Sequence, residues 1–582
     1  MVKFIWWAAR DSIGSDSTAR PGHDRSIRFV IVNPKPSDLP ANALYYGDNL
    51  KVLREHIADE SVDLVYLDPP FNSNADYNVL FSEKDGTQAA SQIKAFDDTW
   101  HWDQSAALSF QETVESGGKV SQCMQAFRTF LGENDMLAYL SMMAPRLIEL
   151  RRVLKDTGSI YLHCDPTASH HLKMLMDAVF GAKNYTNEII WQRTSAHNDP
   201  TRYGRIHDIL LFYAKGDVHT WNQQYDAPDE RYFSAHDFET DEEGRHYRKR
   251  DLTAPAHGRD SGQFEWKGRK PSPGRMWSYT KENMERLEAE GRITYTSTGM
   301  PRLKIYAADL RGVPYQDVWA TPSLWLNAAA QERLGYPTQK PIALLERIIL
   351  SSSNESDVIL DPFCGCGTAI DAAQRLSRRW IGIDITHLAV SLIKHRLFSA
   401  FGEKIDKAYK VIGEPEDVSG AAQLAADDPY QFQWWALSLV HARPAEQKKG
   451  ADRGIDGRLY FHDEGPAGQT KQVIFSVKAG HTNVSHVRDL RGVLDREKAQ
   501  VGVLISMQES TQPMRTEAAS GGFYKSVGGS QFPRIQILTV AELLAGKRVD
   551  MPAWHEQRTF KAAPKAKGKS TIQPEIFGEN RE

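Results

Sequence analysis

Two short acidic motifs follow apolar runs and could bind a ligand. The segment 361–368, Asp-Pro-Phe-Cys-Gly-Cys-Gly-Thr, comes after Val-Ile-Leu and precedes a predicted helix. Gly365 and Gly367 lie where the chain must turn sharply and admit a ligand close to its backbone. Asp384 ends the next apolar run, 17 residues beyond Gly367, where a carboxylate can accept hydrogen bonds from ribose hydroxyls. Since the chain has no Gly-Lys-Ser/Thr phosphate loop here, the pattern favours an adenosine derivative without phosphates.

The second motif, Asp68-Pro69-Pro70-Phe71, ends the apolar run Val-Asp-Leu-Val-Tyr-Leu. An exocyclic amine on a planar base needs acceptors for its two N–H groups, and a carboxylate with a proline-linked carbonyl can supply them. Phe71 can stack on the ring. A motif of this kind standing alone would favour a simpler interpretation, a proline-stiffened strand end whose aspartate caps a helix.

The pattern of apolar and polar residues along the chain indicates which secondary-structure elements position these motifs. Short β-rich runs alternate with helical runs over residues 41–215 and again over 331–412, which predicts a doubly wound, Rossmann-like α/β sheet with parallel strands. Residues 216–330 lose the pattern and are too long for a loop, which predicts an inserted recognition region. We expect a smaller α/β domain over 426–548, an N-terminal extension over 1–40 and a basic tail over 549–582.

Seven segments occur in an order that resembles the β arrangement of the amino-methylating DNA methyltransferases. They are GDN at 47–49, DPPF at 68–71, GSIYLHCD at 158–165, HDILLFYAKG at 207–216, YPTQKP at 336–341, DPFCGCGTA at 361–369 and IGID at 381–384. The resemblance covers about residues 40–410. It implies that the cofactor is S-adenosylmethionine and that the partner is double-stranded DNA.

The resemblance also implies roles for individual residues. Asp68 would bind the target amine, with Pro69 and Pro70 as backbone acceptors and Phe71 as the stacking face. The cofactor-binding set would comprise Asp361, Phe363, Gly365 and Gly367 in the loop, Asp384 at the ribose, Asp48 near the adenine, and Lys340 before a helix that packs against the methionine moiety.

Within this family an aspartate at the head of the PP motif favours adenine N6 over cytosine N4, so we expect adenine-N6 methylation of a base flipped out of the duplex. Three alternatives remain. The first is cytosine-N4 methylation by the same residues. The second is a restriction endonuclease whose methyltransferase half recognises the site. The third is a DNA-binding regulatory protein with both catalytic centres inactive, against which the intact DPPF motif and glycine-rich loop argue. From Asp241 to Arg275, nine Lys/Arg residues are interleaved with Tyr247, Phe264 and Trp266, a mixture that suits contacts with phosphates and bases.

The C-terminal unit resembles restriction-endonuclease-like domains, especially the Mrr type. Asp456 opens one predicted strand, and Ser476 and Lys478 close the next. Asp456 could bind Mg²⁺ while Lys478 stabilises developing negative charge. The family has Glu or Gln where Ser476 stands, so an active nuclease, an inactive DNA-binding relic and a fortuitous match all remain open.

Composition indicates an ordinary globular protein. The 582 residues are 41% hydrophobic and 25% charged, with a net charge of −4, so a nucleic-acid surface must be a local patch. No apolar run approaches the length of a membrane helix, and four cysteines cannot form a disulfide framework, so we expect a cytoplasmic address. A homodimer is a further expectation.

Overall fold

A computed structural model describes most of the chain. The described residues are 42–70, 76–79, 93–97, 101–196, 199–226, 233, 237–256, 262–310, 312–325, 332, 334, 336, 338–445, 454–461, 463, 470–552 and 556–557.

The part before the insertion alternates strands and helices. Its strands are β1 (Ala43–Tyr46), β2 (Val62–Leu67), β3 (Asp76–Val79), β4 (Ile93–Asp97), β5 (Leu154–Cys164), β6 (Tyr185–Gln192) and β7 (His207–Ala214). Its helices are α1 (Asn49–His56), α2 (Gln104–Glu115), α3 (Gly118–Leu131), α4 (Asp135–Val153) and α5 (Ser169–Phe180). Three of these helices begin at an Asp or Asn whose side chain accepts a backbone N–H of the first turn, namely α1, α2 and α4.

The inserted region forms small sheets around its own core. Its elements are β8 (Tyr225–Asp226), β9 (Glu239–Thr240), β10 (His246–Asp251), β11 (Thr253–Pro255), β12 (Arg275–Trp277), α6 (Lys281–Ala289), β13 (Ile293–Tyr295), β14 (Pro301–Tyr306), β15 (Val313–Pro314) and β16 (Val318–Trp319). Strands β13, β14, β10 and β9 make one antiparallel sheet. The last strand, β16, pairs with β6, so the chain rejoins the main sheet before residue 331.

The part after the insertion completes the main sheet. It contributes α7 (Ile342–Ser352), β17 (Val358–Asp361), α8 (Thr368–Arg375), β18 (Arg379–Asp384), α9 (His387–Phe401) and β19 (Lys410–Ile412). The nine strands lie in the order β16-β6-β7-β5-β2-β17-β18-β1-β19. This arrangement confirms the doubly wound α/β class.

One strand departs from the predicted parallel sheet. Strand β7 runs antiparallel to both β5 and β6, whereas every other pairing of the nine strands is parallel. The prediction of parallel strands was wrong for β7. The described part of the β6–β7 connection contains no helix, and a parallel return needs a crossover long enough to span the sheet.

Four strands place the two acidic motifs together. Strand β2 is hydrogen-bonded to β17, β17 to β18, and β18 to β1. Because carboxyl ends of parallel strands meet at one edge, the segments that follow β1, β2, β17 and β18 lie side by side there.

The C-terminal unit has its own sheet. Its elements are α10 (Val418–Asp427), α11 (Pro429–Leu439), β20 (Arg443–Pro444), β21 (Gly457–Phe461), β22 (Lys471–Lys478), α12 (Val484–Glu497), β23 (Val501–Ser506), α13 (Gln512–Ser520), β24 (Phe523–Lys525), β25 (Gln531–Pro533), β26 (Ile535–Thr539), α14 (Val540–Leu544) and β27 (Glu556–Gln557). Helix α11 faces both units, because Gln431 Oε1 accepts the N–H of His387 (3.0 Å) and Gln433 Nε2 lies 3.3 Å from Asp456 Oδ1. Within the described ranges, no helix combines the length and the apolar character needed to cross a bilayer.

Candidate active site

A cavity of about 820 Å³ opens at the edge of the sheet where the motifs meet. Most of the residues chosen from the sequence line it: Asp48, Asp68, Pro69, Pro70, Lys340, Asp361, Phe363, Gly365 and Asp384. Gly367 lies just behind this wall, at the start of α8. Phe71 lies outside the described residues. The two motifs therefore share one cavity large enough for a nucleoside-sized ligand and a base.

The two carboxylate oxygens of Asp68 differ in their hydrogen bonding. Its Oδ2 accepts a hydrogen bond from Lys340 Nζ at 2.5 Å, and both side chains are largely buried. Its Oδ1 is buried and has no hydrogen-bond partner among the described residues. A buried carboxylate oxygen without a partner is costly unless a ligand supplies a donor. Lys340, expected to lie near the cofactor, is thus paired directly with the residue expected to bind the amine.

The loop after β17 is shaped by its glycines. The N–H of Gly365 donates to Asp384 Oδ2 at 2.9 Å, and Gly365 has a φ of +48°. Gly367 has a φ of +75°, and a Cβ there would lie 2.8 Å from Ile393 Cγ1. At the head of the loop, Asp361 Oδ1 accepts the N–H of Phe363 at 3.1 Å, and burial raises the pKa of Asp361 well above its ordinary value. The loop is therefore a tight backbone turn against which a ligand can lie.

Asp384 is held at the end of β18 by three donors. Its Oδ2 accepts from Gly365 N, and its Oδ1 accepts from Thr386 N and Thr386 Oγ1, both at 2.9 Å. Burial raises the pKa of Asp384 to about 6, against the opposing effect of these hydrogen bonds. The carboxylate is fixed in the cavity wall, with lone pairs remaining for hydroxyl donors.

Asp48 belongs to a polar network that the sequence analysis missed in part. It caps α1 through Lys51 N, and its Oδ2 accepts from Arg146 Nη2 at 2.6 Å. Arg146 Nε also donates to Asn49 Oδ1 (2.5 Å), and Asn49 Nδ2 donates to the carbonyl of Pro362 at 2.8 Å. The network ties α1 and α4 to the cofactor loop. Its signal in the sequence was one arginine inside the apolar stretch of α4.

Helix α2 forms the outer wall of the cavity. His101, Asp103 and Leu108 line it, and Leu108 is 64% exposed. The first two belong to the aromatic and acidic run Phe-Asp-Asp-Thr-Trp-His-Trp-Asp at 96–103. The run therefore contributes to the rim of the site.

The cysteines of the loop are buried. Cys364 and Cys366 are each 4% exposed, and Arg396 Nη2 lies 3.6 Å from Cys366 Sγ. Nowhere in the described ranges do three or more His, Cys, Asp or Glu side chains form a group suited to a metal ion.

Two of the three aromatics proposed to contact nucleic acid are core residues instead. Trp266 is 4% exposed and Tyr247 is 8% exposed, and Trp266 packs with Trp277 in the core of the inserted region. They are buried because so small a region needs its large aromatic side chains to form a hydrophobic core. Basic residues remain at the surface of β10, where Arg250 is exposed and Arg248 is half-buried.

The nuclease-like residues of the C-terminal unit do assemble. Asp456 Oδ2 lies within 2.7 Å of Val477 N, 3.2 Å of Ser476 Oγ and 3.3 Å of Lys478 Nζ. All of these neighbours are hydrogen-bond donors, so the Asp456 carboxylate is already satisfied, and among the described residues it belongs to no group of three or more His, Cys, Asp or Glu side chains that could hold a metal ion. This donor set does not suit Mg²⁺, which prefers several oxygen ligands.

Residues 430–545 match the family model described as NACHT-associated inactive Restriction Endonuclease 1. The restriction-endonuclease-like assignment is thereby supported, whereas the Mrr type is not confirmed. A family described as inactive agrees with the saturated surroundings of Asp456, and the expected Mg²⁺ is not supported.

The larger unit has relatives among modification enzymes. Type II methyltransferase M.EcaI of Enterobacter cloacae is 31% identical over 363 residues, covering 62% of this chain and 69% of that protein. The Mod subunit of the type III restriction-modification enzyme StyLTI of Salmonella typhimurium is 26% identical over 405 residues, covering 63% of this chain and 56% of that protein. Among solved structures, the cytosine-N4-specific PvuII DNA methyltransferase matches with 14% identity and a TM-score of 0.28, covering 61% of this chain and 87% of that one.

The family model N6_N4_Mtase, described as DNA methylase, matches residues 62–395, the span that holds both acidic motifs, the insertion and most of the main sheet. Since this match takes in more than half of the sequence, the chain belongs to the N6/N4 DNA methylase family.

Proposed function

We propose that the protein transfers a methyl group from S-adenosylmethionine to the N6 amine of an adenine in duplex DNA. The observation that supports this most is that Asp68 Oδ1, which has no hydrogen-bond partner within the described part of the chain, lies in the same cavity as the glycine loop and Asp384. An amine donor would satisfy that oxygen. The choice of adenine over cytosine depends on the aspartate at position 68.

The residues of the chain suit the parts of this ligand pair. Asp384 would accept hydrogen bonds from the ribose hydroxyls, and the turn at Gly365 would let the nucleoside lie against the backbone. Bound S-adenosylmethionine would supply an electrophilic methyl group on a sulfonium that leaves readily. Asp68 and the carbonyls of the DPP segment would orient the amine, so that catalysis consists largely of alignment.

The target base must leave the duplex to reach this cavity. Extrusion costs a few kcal/mol and must be offset by contacts in the cavity and along the strands. The inserted region and the rim at α2 would supply the contacts outside the cavity. We propose that the C-terminal unit acts as an inactive DNA-binding domain of a restriction-modification type of protein.

Nucleoside mass spectrometry tests the proposed function. DNA is incubated with the protein and methyl-labelled cofactor and then digested to nucleosides. We expect label in N6-methyl-2′-deoxyadenosine, whereas label in N4-methyl-2′-deoxycytidine would refute the choice of base and no label would refute the activity.

A matched variant tests the role of Asp68. Asp68→Ala removes the acceptor for the amine, so methyl transfer should fall at least a thousandfold while cofactor affinity changes less than about threefold. Turnover near the wild-type rate would contradict the assignment. Asp63→Ala, on the strand that Asp68 follows but bonded to Lys155 Nζ and Val358 N, is the control and should retain activity.

A further inference from the structure

The connection between strands β6 and β7 carries an aromatic ring that is almost fully exposed. At its base, the N–H of Arg193 donates to the carbonyl of Ile206 at 2.9 Å. The described segment 199–205 within this connection reads Asp-Pro-Thr-Arg-Tyr-Gly-Arg, and we call it the Tyr203 loop. Tyr203 is 97% exposed, the largest exposed fraction among the large hydrophobic side chains in the described part of the chain. A ring exposed to this extent contributes almost nothing to the core of the fold.

The strand directions place the Tyr203 loop at the edge of the sheet that holds the cavity. Strand β7 is antiparallel to both β5 and β6, so β6 runs in the same direction as β5, and β5 is parallel to β2. The segments that follow β6 and β2 therefore leave the same carboxyl edge. Asp68 follows β2, and three strand spacings of about 4.8 Å separate β2 from β6, so the connection begins about 14 Å to one side of Asp68.

The register of the sheet shows that β6 extends beyond this edge. Leu67, the last residue of β2, is paired with Leu162 of β5. On β7, Leu211 is paired both with Leu162 and with Glu188 of β6. Strand β6 continues past this level to Gln192, a rise of about 13 Å at about 3.3 Å per residue. The Tyr203 loop therefore starts above the level at which β2 ends and can reach a duplex whose extruded base occupies the cavity.

The side chains of the Tyr203 loop suit contacts with DNA. Arg202 and Arg205 flank Tyr203 and are exposed, and the Arg205 side chain has no ion-pair partner among the described residues. Asp199 accepts hydrogen bonds from Thr201 N at 3.0 Å and from Arg202 Nε at 2.9 Å, which braces the turn before the ring. A guanidinium group binds phosphate, and an exposed aromatic ring can stack on a base. The loop thus offers the exposed aromatic contact that the buried rings of the inserted region do not.

We propose that Tyr203 enters the base stack at the position that the target base leaves, while Arg205 binds a flanking phosphate. Removal of one base from a duplex unstacks its neighbours, and a planar ring in the gap restores stacking. The extrusion of the target base then costs less. The inference rests on the proposed function, because only a base that leaves the duplex opens such a gap.

A duplex with 2-aminopurine at the target position measures base extrusion, because this adenine analogue becomes brighter when it leaves the stack. The site is first located as the sequence in which the wild-type protein methylates plasmid DNA. Tyr203→Ala should lower both the rise in fluorescence on binding and the single-turnover rate constant of methyl transfer, the latter by about fivefold or more. Tyr203→Phe keeps the ring and should stay within about twofold of the wild type. Equal losses in the two variants would overturn the proposal.

A mispaired duplex separates stacking from a structural effect. A target adenine opposite a mismatched base costs less to extrude, so the protein depends less on Tyr203 there. The deficit of Tyr203→Ala should therefore shrink to within about twofold of the wild type on the mispaired duplex. An equal deficit on paired and mispaired duplexes would overturn the proposal, because damage to the cavity would slow both reactions alike.

Trp221→Ala is the matched control. Trp221 is 46% exposed and follows β7, whose antiparallel course brings its end to the opposite edge of the sheet. There the N–H of Thr220 donates to the carbonyl of Thr157, near the start of β5, at 3.1 Å. Base extrusion and methyl transfer should match the wild type in this variant, with thermal melting confirming that each variant is folded. A loss as large as that of Tyr203→Ala would overturn the proposal.

Binding of a mixed-sequence duplex tests Arg205 without methyl transfer. Arg205→Ala should make the slope of the logarithm of the binding constant against the logarithm of the salt concentration less steep by about 0.9. An unchanged slope would overturn the assignment of this loop to DNA. If the wild-type protein transfers no methyl group, the proposed function fails, and this slope still decides whether the loop binds DNA. If the wild type is active and Tyr203→Ala matches it, only this inference fails.

Discussion

Asp384 combines a structural task with a proposed binding task. Its carboxylate holds Gly365 and Thr386 in place, and it is also the group proposed to accept hydrogen bonds from the ribose. Because its pKa is raised to about 6, the binding task depends on pH in a range where most carboxylates are ionised.

We predict that cofactor affinity falls as the pH drops through 6. The raised pKa means that the ionised acceptor form is complete above this value and is lost below it. If the ionised form alone binds well, the dissociation constant at pH 5 should be about tenfold that at pH 7, as measured by calorimetry. Asp384→Asn should bind more weakly at pH 7 and show no such dependence. A wild-type affinity that is flat between pH 5 and 7 would rule out this role.

Single residues at strand ends could be chosen from the sequence, but their partners could not. Asp68 and Asp384 stand at the ends of apolar runs, a local pattern. The pairing of Asp68 with Lys340 and of Tyr66 with His163 joins segments far apart in the chain, and only the strand order brings them together. No periodicity encodes such contacts.

At the scale of elements, the turn between β17 and α8 depends on the close approach of helix α9. Gly367 has a left-handed backbone, and Ile393 of α9 fills the space where a side chain would go. Helix α9 thus supports the cofactor loop from behind.

We predict that Gly367→Ala destabilises the protein and weakens cofactor binding. The left-handed backbone costs about 1 kcal/mol with a Cβ, and the contact with Ile393 should add about 1–3 kcal/mol to the loss in free energy of unfolding. Gly402→Ala is the control, because Gly402 has a similar φ of +77° and nothing within 4 Å of its Cβ position. Equal losses in chemical denaturation of the two variants would show that the packing of α9 is unimportant.

Elements could be predicted where apolar residues form a clear run or a regular pattern along the sequence. The helix predicted after segment 361–368 is observed as α8, and the apolar runs before both acidic motifs are strands β2 and β17. Strand β16 was missed because its two residues carry no periodicity, and its position depends on pairing with β6. The direction of β7 also depended on a connection whose course the sequence did not reveal.

At the scale of the whole molecule, the inserted region has exposed basic residues on strand β10, whereas Tyr247 and Trp266 are buried. Arg245, which precedes β10, and Lys249 on β10 are paired with acids, at 2.8 Å from Asp241 and 2.6 Å from Glu239. Arg248 and Arg250 form no ion pair with another described residue, which leaves them available for phosphates.

We predict that Arg248→Ala/Arg250→Ala weakens DNA binding and reduces its dependence on salt. A plot of the logarithm of the DNA-binding constant against the logarithm of the salt concentration has a negative slope. Each lost phosphate contact should make this slope less steep by about 0.9. Fluorescence anisotropy at several salt concentrations measures this slope. Arg245→Ala/Lys249→Ala removes two charges that are already neutralised and should change the slope less. Equal slopes for the wild type and Arg248→Ala/Arg250→Ala would exclude these residues from the interface.

We predict that the C-terminal unit does not cut DNA with Mg²⁺ or Mn²⁺ and that Asp456 stabilises its fold. Asp456→Ala leaves Val477 N, Ser476 Oγ and Lys478 Nζ without their acceptor, so the free energy of unfolding should fall by about 1–3 kcal/mol. Methyl transfer should persist. Ser476→Ala, which removes one of these donors, should cost less. Metal-dependent cleavage of plasmid by the wild type, lost in Lys478→Ala, would contradict this prediction.

Strand β1 lies between β18 and β19, although it begins the described chain and they end the larger unit. Ala43 is paired with Ile381 on one side and with Lys410 on the other. The two end strands of this unit are therefore neighbours, but because they run parallel, a linker from β19 to β1 would have to cross the sheet from its carboxyl edge to its amino edge. In a circular permutant whose sequence begins within the inserted region, the cofactor half would come first along the chain. Its nine strands could still lie in the same order across the sheet. The strand order of the sheet therefore does not require the motifs to follow one another along the chain in this particular order.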